Sequence, residues 1–158
     1  MKGLYRFSLA VLVGLLFTGC ELLGSEEEEL DCGDKNAVAT IGVNEDTRCA
    51  TARAEIRSYG TADERMIIGI KWNTGAVDLI LNPGEQITAK TYTMDSGASF
   101  WHVNYNRGDA AMIEITEIDR ENNTISGNYS VAGEGNSNYQ AYDYKNRGTF
   151  TKASIRTP

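Results

Sequence analysis

From about residue 32 onward, apolar positions recur every second residue rather than every third or fourth. That is the period of a pleated strand with one buried face. In 124–131, Ile125, Gly127, Tyr129 and Val131 fall on one side. In 111–118, Ile113 and Ile115 share a face and Ile118 is out of phase, so the alternation breaks at Thr116-Glu117. Such a break predicts a β-bulge or a strand end. Trp101, Val103 and Tyr105 fall on one side of their strand, which puts His102 on the other. Runs of this kind cover 37–43, 49–59, 65–72, 76–81, 88–94, 100–106, 111–118, 124–131 and 148–155. Between them lie turn-forming residues: Asn73-Thr74-Gly75, where Asn and Gly suit the positive φ of tight hairpins, Asn82-Pro83-Gly84, 106–109 and 119–123. The pattern predicts an all-β domain, an antiparallel β-sandwich or partly closed barrel of about 8–9 strands. A short helix over 44–54, where Ala and Arg are good formers, is the one local alternative.

The first twenty residues read differently. Lys2 and Arg6 precede an apolar run over 7–19. As a helix it would be about 20 Å long at about 1.5 Å per residue, short of the roughly 30 Å hydrocarbon core of a bilayer. It therefore reads as the core of an export signal rather than a membrane span. The run stops at Phe17-Thr18-Gly19-Cys20, which resembles the lipobox of bacterial lipoproteins, with Phe17 where Leu is usual. The resemblance implies cleavage before Cys20 and acylation of its thiol and new N-terminus. Two or more acyl chains give stable attachment to a bilayer. The expected organisation is a signal peptide (1–19), a lipidated Cys20 with an acidic tether (20–31), and a single β domain (32–158).

Charge supports the division. The chain carries −7, and loss of Lys2 and Arg6 with the signal leaves −9. Glu21, Glu26, Glu27, Glu28, Glu29 and Asp31 supply six of those charges, while 32–158 holds 13 basic and 16 acidic side chains. A glutamate run cannot bury apolar surface and repels itself into an extended coil. It also resembles the surface-export signal of Bacteroidetes-type lipoproteins, which implies an outer-membrane protein facing the cell surface. The balance of charge in the domain excludes a basic nucleic-acid binder of the usual kind.

With Cys20 acylated, Cys32 and Cys49 remain. In an oxidising compartment they are candidates for a disulfide. It would close a loop of about 17 residues and stabilise the fold by about 3 kcal/mol. Two free thiols or a metal site are the alternatives, and the absence of nearby His argues against a metal. No nucleophile-elbow, Ser-x-x-Lys or His-Glu-x-x-His motif occurs. Gly133-Glu134-Gly135-Asn136 precedes no helix and reads as loop rather than phosphate cradle. No cofactor and no metal are expected.

Candidate binding residues are Tyr139, Tyr142 and Tyr144, in what reads as a long polar loop over 133–147, together with Trp101 and His102. Rigid aromatics among Asn, Gln and Ser have the composition of recognition surfaces. The sole imidazole, His102, reads as a surface or interface residue.

The segment 111–131 (AMIEITEIDRENNTISGNYSV), with Gly148-Thr149-Phe150 downstream and Tyr92-Thr93-Met94 and Phe100-Trp101 upstream, resembles small Bacteroidetes-type lipoproteins of unknown function. The resemblance covers about 65–155 and implies an all-β domain at the outer membrane, without assigned catalytic residues. The expected function is a non-catalytic binding or envelope-accessory module anchored through Cys20, with a glycan or protein ligand. Two alternatives stay open: a glycan- or peptide-acting hydrolase using carboxylates such as Glu114 and Glu117, and an inhibitor or immunity-type protein.

Overall fold

Alternating residues can bury one face only if their strands pair, and here they pair into a single curled wall. A computed structural model describes residues 30–42, 44–102, 105–137 and 140–157, with backbone alone at 105–107, 135–137 and 140–142. Residues 1–29, including Cys20 and the glutamate run, lie outside these, as does Tyr139.

The strands are β1 (Ala37–Ile41), β2 (Asp46–Arg57), β3 (Arg65–Trp72), β4 (Gly75–Leu81), β5 (Thr91–Thr93), β6 (Ala98–Trp101), β7 (Tyr105–Asp119), β8 (Thr124–Ser137) and β9 (Gln140–Arg156). They form one sheet in the order β5-β7-β8-β9-β1-β2-β3-β4-β6. The sheet curls into a nearly closed barrel, so the barrel alternative holds over the sandwich. Along β2 and β3, Ala50, Ala52, Ala54 and Ile56, then Met66, Ile68, Ile70 and Trp72, point inward and are buried. Alanines on β1 and β2 leave interior room for Met66, Leu79, Ile113 and Phe150.

Neighbouring strands run antiparallel, with one exception that geometry requires. The five-residue β1 lies between β9 and β2 and is antiparallel to both, so those two are parallel to each other. Beyond the start of β1 they meet directly, Arg53, Ala54 and Glu55 pairing with Ser154, Ile155 and Arg156.

The bulge foreseen at Thr116-Glu117 is present: the β7–β8 register shifts between Ile115, opposite Gly127, and Glu117, opposite Ser126. A second irregularity faces it on β9. There Lys152 adopts φ 48° and its N–H donates to Ser126 Oγ at 3.0 Å. The shift lets Phe150 and Ala153 both face inward.

Several expectations are corrected. The 44–54 stretch is a turn at 44–45 and then strand rather than helix, because Ala50, Ala52 and Ala54 fill inward positions of β2. The presumed loop over 133–147 is a continuation of β8 and β9, paired from Gly133–Tyr144 to Ser137–Gln140. The presumed turn at 106–109 lies within β7, in an irregular stretch with register shifts. The run 88–94 shrinks to β5 and a 3-10 turn, Met94–Ser96, and 100–106 splits between β6 and β7. In the β3–β4 hairpin neither Asn73 nor Gly75 has positive φ. Gly75 is needed for clearance instead, since a Cβ there would lie 2.9 Å from the Trp72 ring.

Cys32 and Cys49 form the disulfide, across a sequence separation of 17.

Candidate functional site

Among the described residues the interior holds a continuous cluster of buried side chains, among them Ile56, Ile68, Leu79, Ile113 and Phe150. At one end Glu64 is fully buried and chelated. Its Oε1 accepts from Arg120 Nη1 at 2.9 Å and from the Gly60 amide; its Oε2 accepts from Arg120 Nη2 at 3.0 Å and the Ile87 amide at 2.8 Å. Arg120 Nη2 also donates to Ile87 O at 2.9 Å, and its guanidinium lies 4.8 Å from the Tyr59 ring centre. Burial pushes the Glu64 carboxyl up, but the Arg120 guanidinium and the two amides outweigh it and hold its pKa below the ordinary value. This knot ties the β2–β3 connection, the segment before β5 and the β7–β8 turn together. It reads as structural.

At the other end Trp72, His102 and Tyr144 close the interior. His102 stacks near Trp72, with ring centres 6.5 Å apart, and leans on Tyr144 at 4.9 Å. Below them Tyr129 donates its hydroxyl to Asn146 Oδ1 at 2.9 Å, and Asn146 Nδ2 donates to Tyr144 Oη at 2.7 Å. Asn146 is buried, so a polar residue occupies an inward position of β9 and both ends of its amide are satisfied.

These contacts correct two expectations. His102 is 7% exposed rather than a surface residue, and burial lowers its pKa. Tyr144 is 5% exposed and belongs to the interior, because its inward position on β9 places it under His102. The side chain of Tyr142 and all of Tyr139 lie outside the described residues. Of the three whose side chains are described, Trp101 is the exposed one, at 57%, on the face opposite His102.

The register places partners beside Trp101 that the sequence could not. Arg53 on β2 is opposite Gly69 on β3, Gly69 opposite Asp78 on β4, and Asp78 opposite Trp101 on β6. One row therefore crosses four strands of the outer wall. The next row holds Thr51, Lys71 and Ala76. Together Thr51, Arg53, Gly69, Lys71, Ala76 and Asp78 line an open trough of about 480 Å³. Gly69 and Ala76 form its low floor. Asp78 Oδ1 lies over the glycine, 3.2 Å from where a Cβ would stand. Asp78 is half-buried, and burial raises its pKa. Arg53, Lys71 and Asp78 form no ion pair with one another, in contrast to Arg48–Asp46, Arg57–Glu55 and Arg147–Glu45 elsewhere on the surface.

The carboxylates considered for hydrolysis lie on either side of the β7 bulge. Glu114 Oε2 accepts from Asn128 Nδ2 at 2.8 Å on the outer face, and Glu117 lies beyond the bulge and is exposed. The trough and two other surface grooves are each lined by a single acidic residue, Asp78, Glu55 and Glu45. Among the described residues no group of three or more His, Cys, Asp or Glu could hold a metal ion. No protein-family model matches the chain, and neither the comparison with curated proteins nor that with solved structures found a similar one.

Proposed function

We propose that this chain is an exported bacterial lipoprotein, held at the outer membrane by acylated Cys20 and acting as a non-catalytic binding module at the cell surface. The observation that carries the reading is the apolar run over 7–19 ending at Cys20, followed at once by the glutamate-rich stretch. The resemblance of 111–131 to small Bacteroidetes-type lipoproteins agrees with it. So does the Cys32–Cys49 disulfide, since such bonds persist mainly in oxidising compartments. The exposed Trp101 and the trough beside it direct recognition to the outer wall, and a trough lined by the single carboxylate of Asp78 favours holding a ligand over cleaving it.

The test is the mature N-terminus. Mass spectrometry of membrane-extracted protein should find Cys20 first and bearing acyl chains. Cys20→Ser should leave the signal uncleaved or release the domain from membranes. Normal processing and undiminished membrane attachment of that variant would overturn the reading.

A further inference from the structure

We propose that the outer-wall trough beside Trp101 is a carbohydrate-binding site, in which the indole of Trp101 stacks on a sugar ring while Asp78, Arg53 and Lys71 bond its hydroxyl groups. The inference rests on the binding-module reading above and gives that module a ligand class.

Four observations converge. The first is the platform. Trp101 is 57% exposed on a strand whose inward residues are Ala98, buried, and Phe100, partly buried. An exposed indole keeps a large, rigid apolar face in water, and such faces are enriched where proteins hold ligands. The C–H groups on one face of a pyranose are apolar and electropositive, and they suit the electron-rich face of an aromatic ring.

The second is Asp78. A half-buried carboxylate with no hydrogen bond among the described residues loses solvation without recompense. Sugar hydroxyls are donors that would supply what it lacks, and a carboxylate can accept from two of them at once.

The third is the mixture of charges. Arg53 and Lys71 face Asp78 across the trough without pairing to it. A phosphate would meet the carboxylate, and an organic cation would meet the two bases. An apolar peptide would bury all three charges unsatisfied, at high cost. A polyhydroxylated neutral ligand offers both donors and acceptors, so each group finds a partner.

The fourth is shape. Gly69 and Ala76 keep the floor low, and three inter-strand steps of about 4.8 Å separate Arg53 from Trp101. The row is about 14 Å long by that spacing, which suits a short oligosaccharide lying across the strands rather than a single atom or ion. Gly69 acts as a positioning residue. A methyl there would press on Asp78 Oδ1 from 3.2 Å and tilt the carboxyl away.

The experiment uses the full mature protein in detergent micelles. The probes are neutral tetrasaccharides of glucose, mannose, galactose and N-acetylglucosamine, with inorganic phosphate and a lysine-rich peptide alongside. Binding is read by calorimetry and by tryptophan emission, and the mass of each sugar is followed over a day. At least one tetrasaccharide should bind and perturb the emission, and phosphate and the peptide should not. Trp101→Ala and Asp78→Asn should each weaken that binding at least tenfold with folding intact by circular dichroism. Trp101→Phe should retain part of it, Gly69→Ala should weaken it less than Asp78→Asn, and Met112→Ala, exposed on β7, should leave it unchanged. The inference is overturned if no tetrasaccharide binds, or if Trp101→Ala and Asp78→Asn change affinity less than twofold. Neither result touches the anchoring of the protein through Cys20. Cleavage of a bound sugar would instead overturn the non-catalytic part of the module reading while leaving the site in place.

Discussion

Asn36 pairs with Ala52 as a strand residue would, but through its side chain. Its Oδ1 accepts from Ala52 N at 2.7 Å, and its Nδ2 donates to Ala52 O at 3.1 Å. Its own carbonyl accepts from Thr151 N at 2.8 Å. Asn36 thus stands at the fork where β1 gives out and β9 and β2 close on each other. Without it, two partly buried backbone groups of Ala52 lose their partners. Asn36→Ala should cost about 1–3 kcal/mol, the usual penalty for groups left unsatisfied. Urea unfolding measures it. Asn36→Asp should also weaken the fork, because a carboxylate cannot donate to Ala52 O.

The Glu64–Arg120 knot has a signed pH dependence. Its pKa is held below the ordinary 4.5, so the folded state releases the proton more readily than the unfolded chain. The stability it adds is fully present above about pH 4.5 and is lost as pH falls below that value. Arg120→Ala leaves a buried carboxylate without its cation and should cost about 3–5 kcal/mol at neutral pH. The loss should shrink in acid. A constant difference between pH 7 and pH 3 in chemical unfolding would refute the assignment.

His102 acts at milder acidity. Burial lowers its pKa from the ordinary 6.5, so the unfolded chain takes up a proton that the folded one resists. Its contribution is intact above about pH 6.5 and declines as pH drops through that value. His102→Gln should flatten the melting-temperature profile between about pH 6.5 and 5 relative to the parent. Differential scanning calorimetry across that interval gives the comparison.

Asp78 should behave in the opposite sense. Its pKa is raised above the ordinary 3.8, so the folded state holds its proton longer, and the parent loses stability as pH rises through that titration. Asp78→Asn should therefore melt at or above the parent temperature at pH 7, with the gap narrowing in acid. A variant that gains stability while losing sugar binding is the pattern of a group kept for function. A lower melting temperature at pH 7 would instead mark Asp78 as a structural residue.

Some of the wall was legible because alternation was clean. Met66, Ile68, Ile70 and Trp72 step inward without interruption, and β3 has the bounds their pattern predicts. The phase break at Thr116-Glu117 was visible because isoleucines stand on both sides of it. The tips of β8 and β9 were not legible. Asn146 occupies an inward position, and Gly133 faces Tyr144, so the hydrophobic signal fades where pairing continues. Glu64 and Arg120 lie 56 residues apart and meet only in the fold. At the candidate site, phase alone put Trp101 and His102 on opposite faces but not which of them faces water: His102, read as a surface residue, is buried and Trp101 is exposed. Arg53, Gly69 and Asp78 could not be placed beside it without the strand order, since no local pattern says which strand lies next to which.

The Cys32–Cys49 bond also settles where tension enters the molecule. A pull on the chain ahead of residue 32 passes through sulfur into the middle of the wall at β2 and bypasses the short β1 that follows. A strand of five residues, otherwise first to be unzipped by any drag on the leading end, is thereby excused from the force. Cleaving that one bond should let load draw β1 out from between β9 and β2, at forces the oxidised protein withstands.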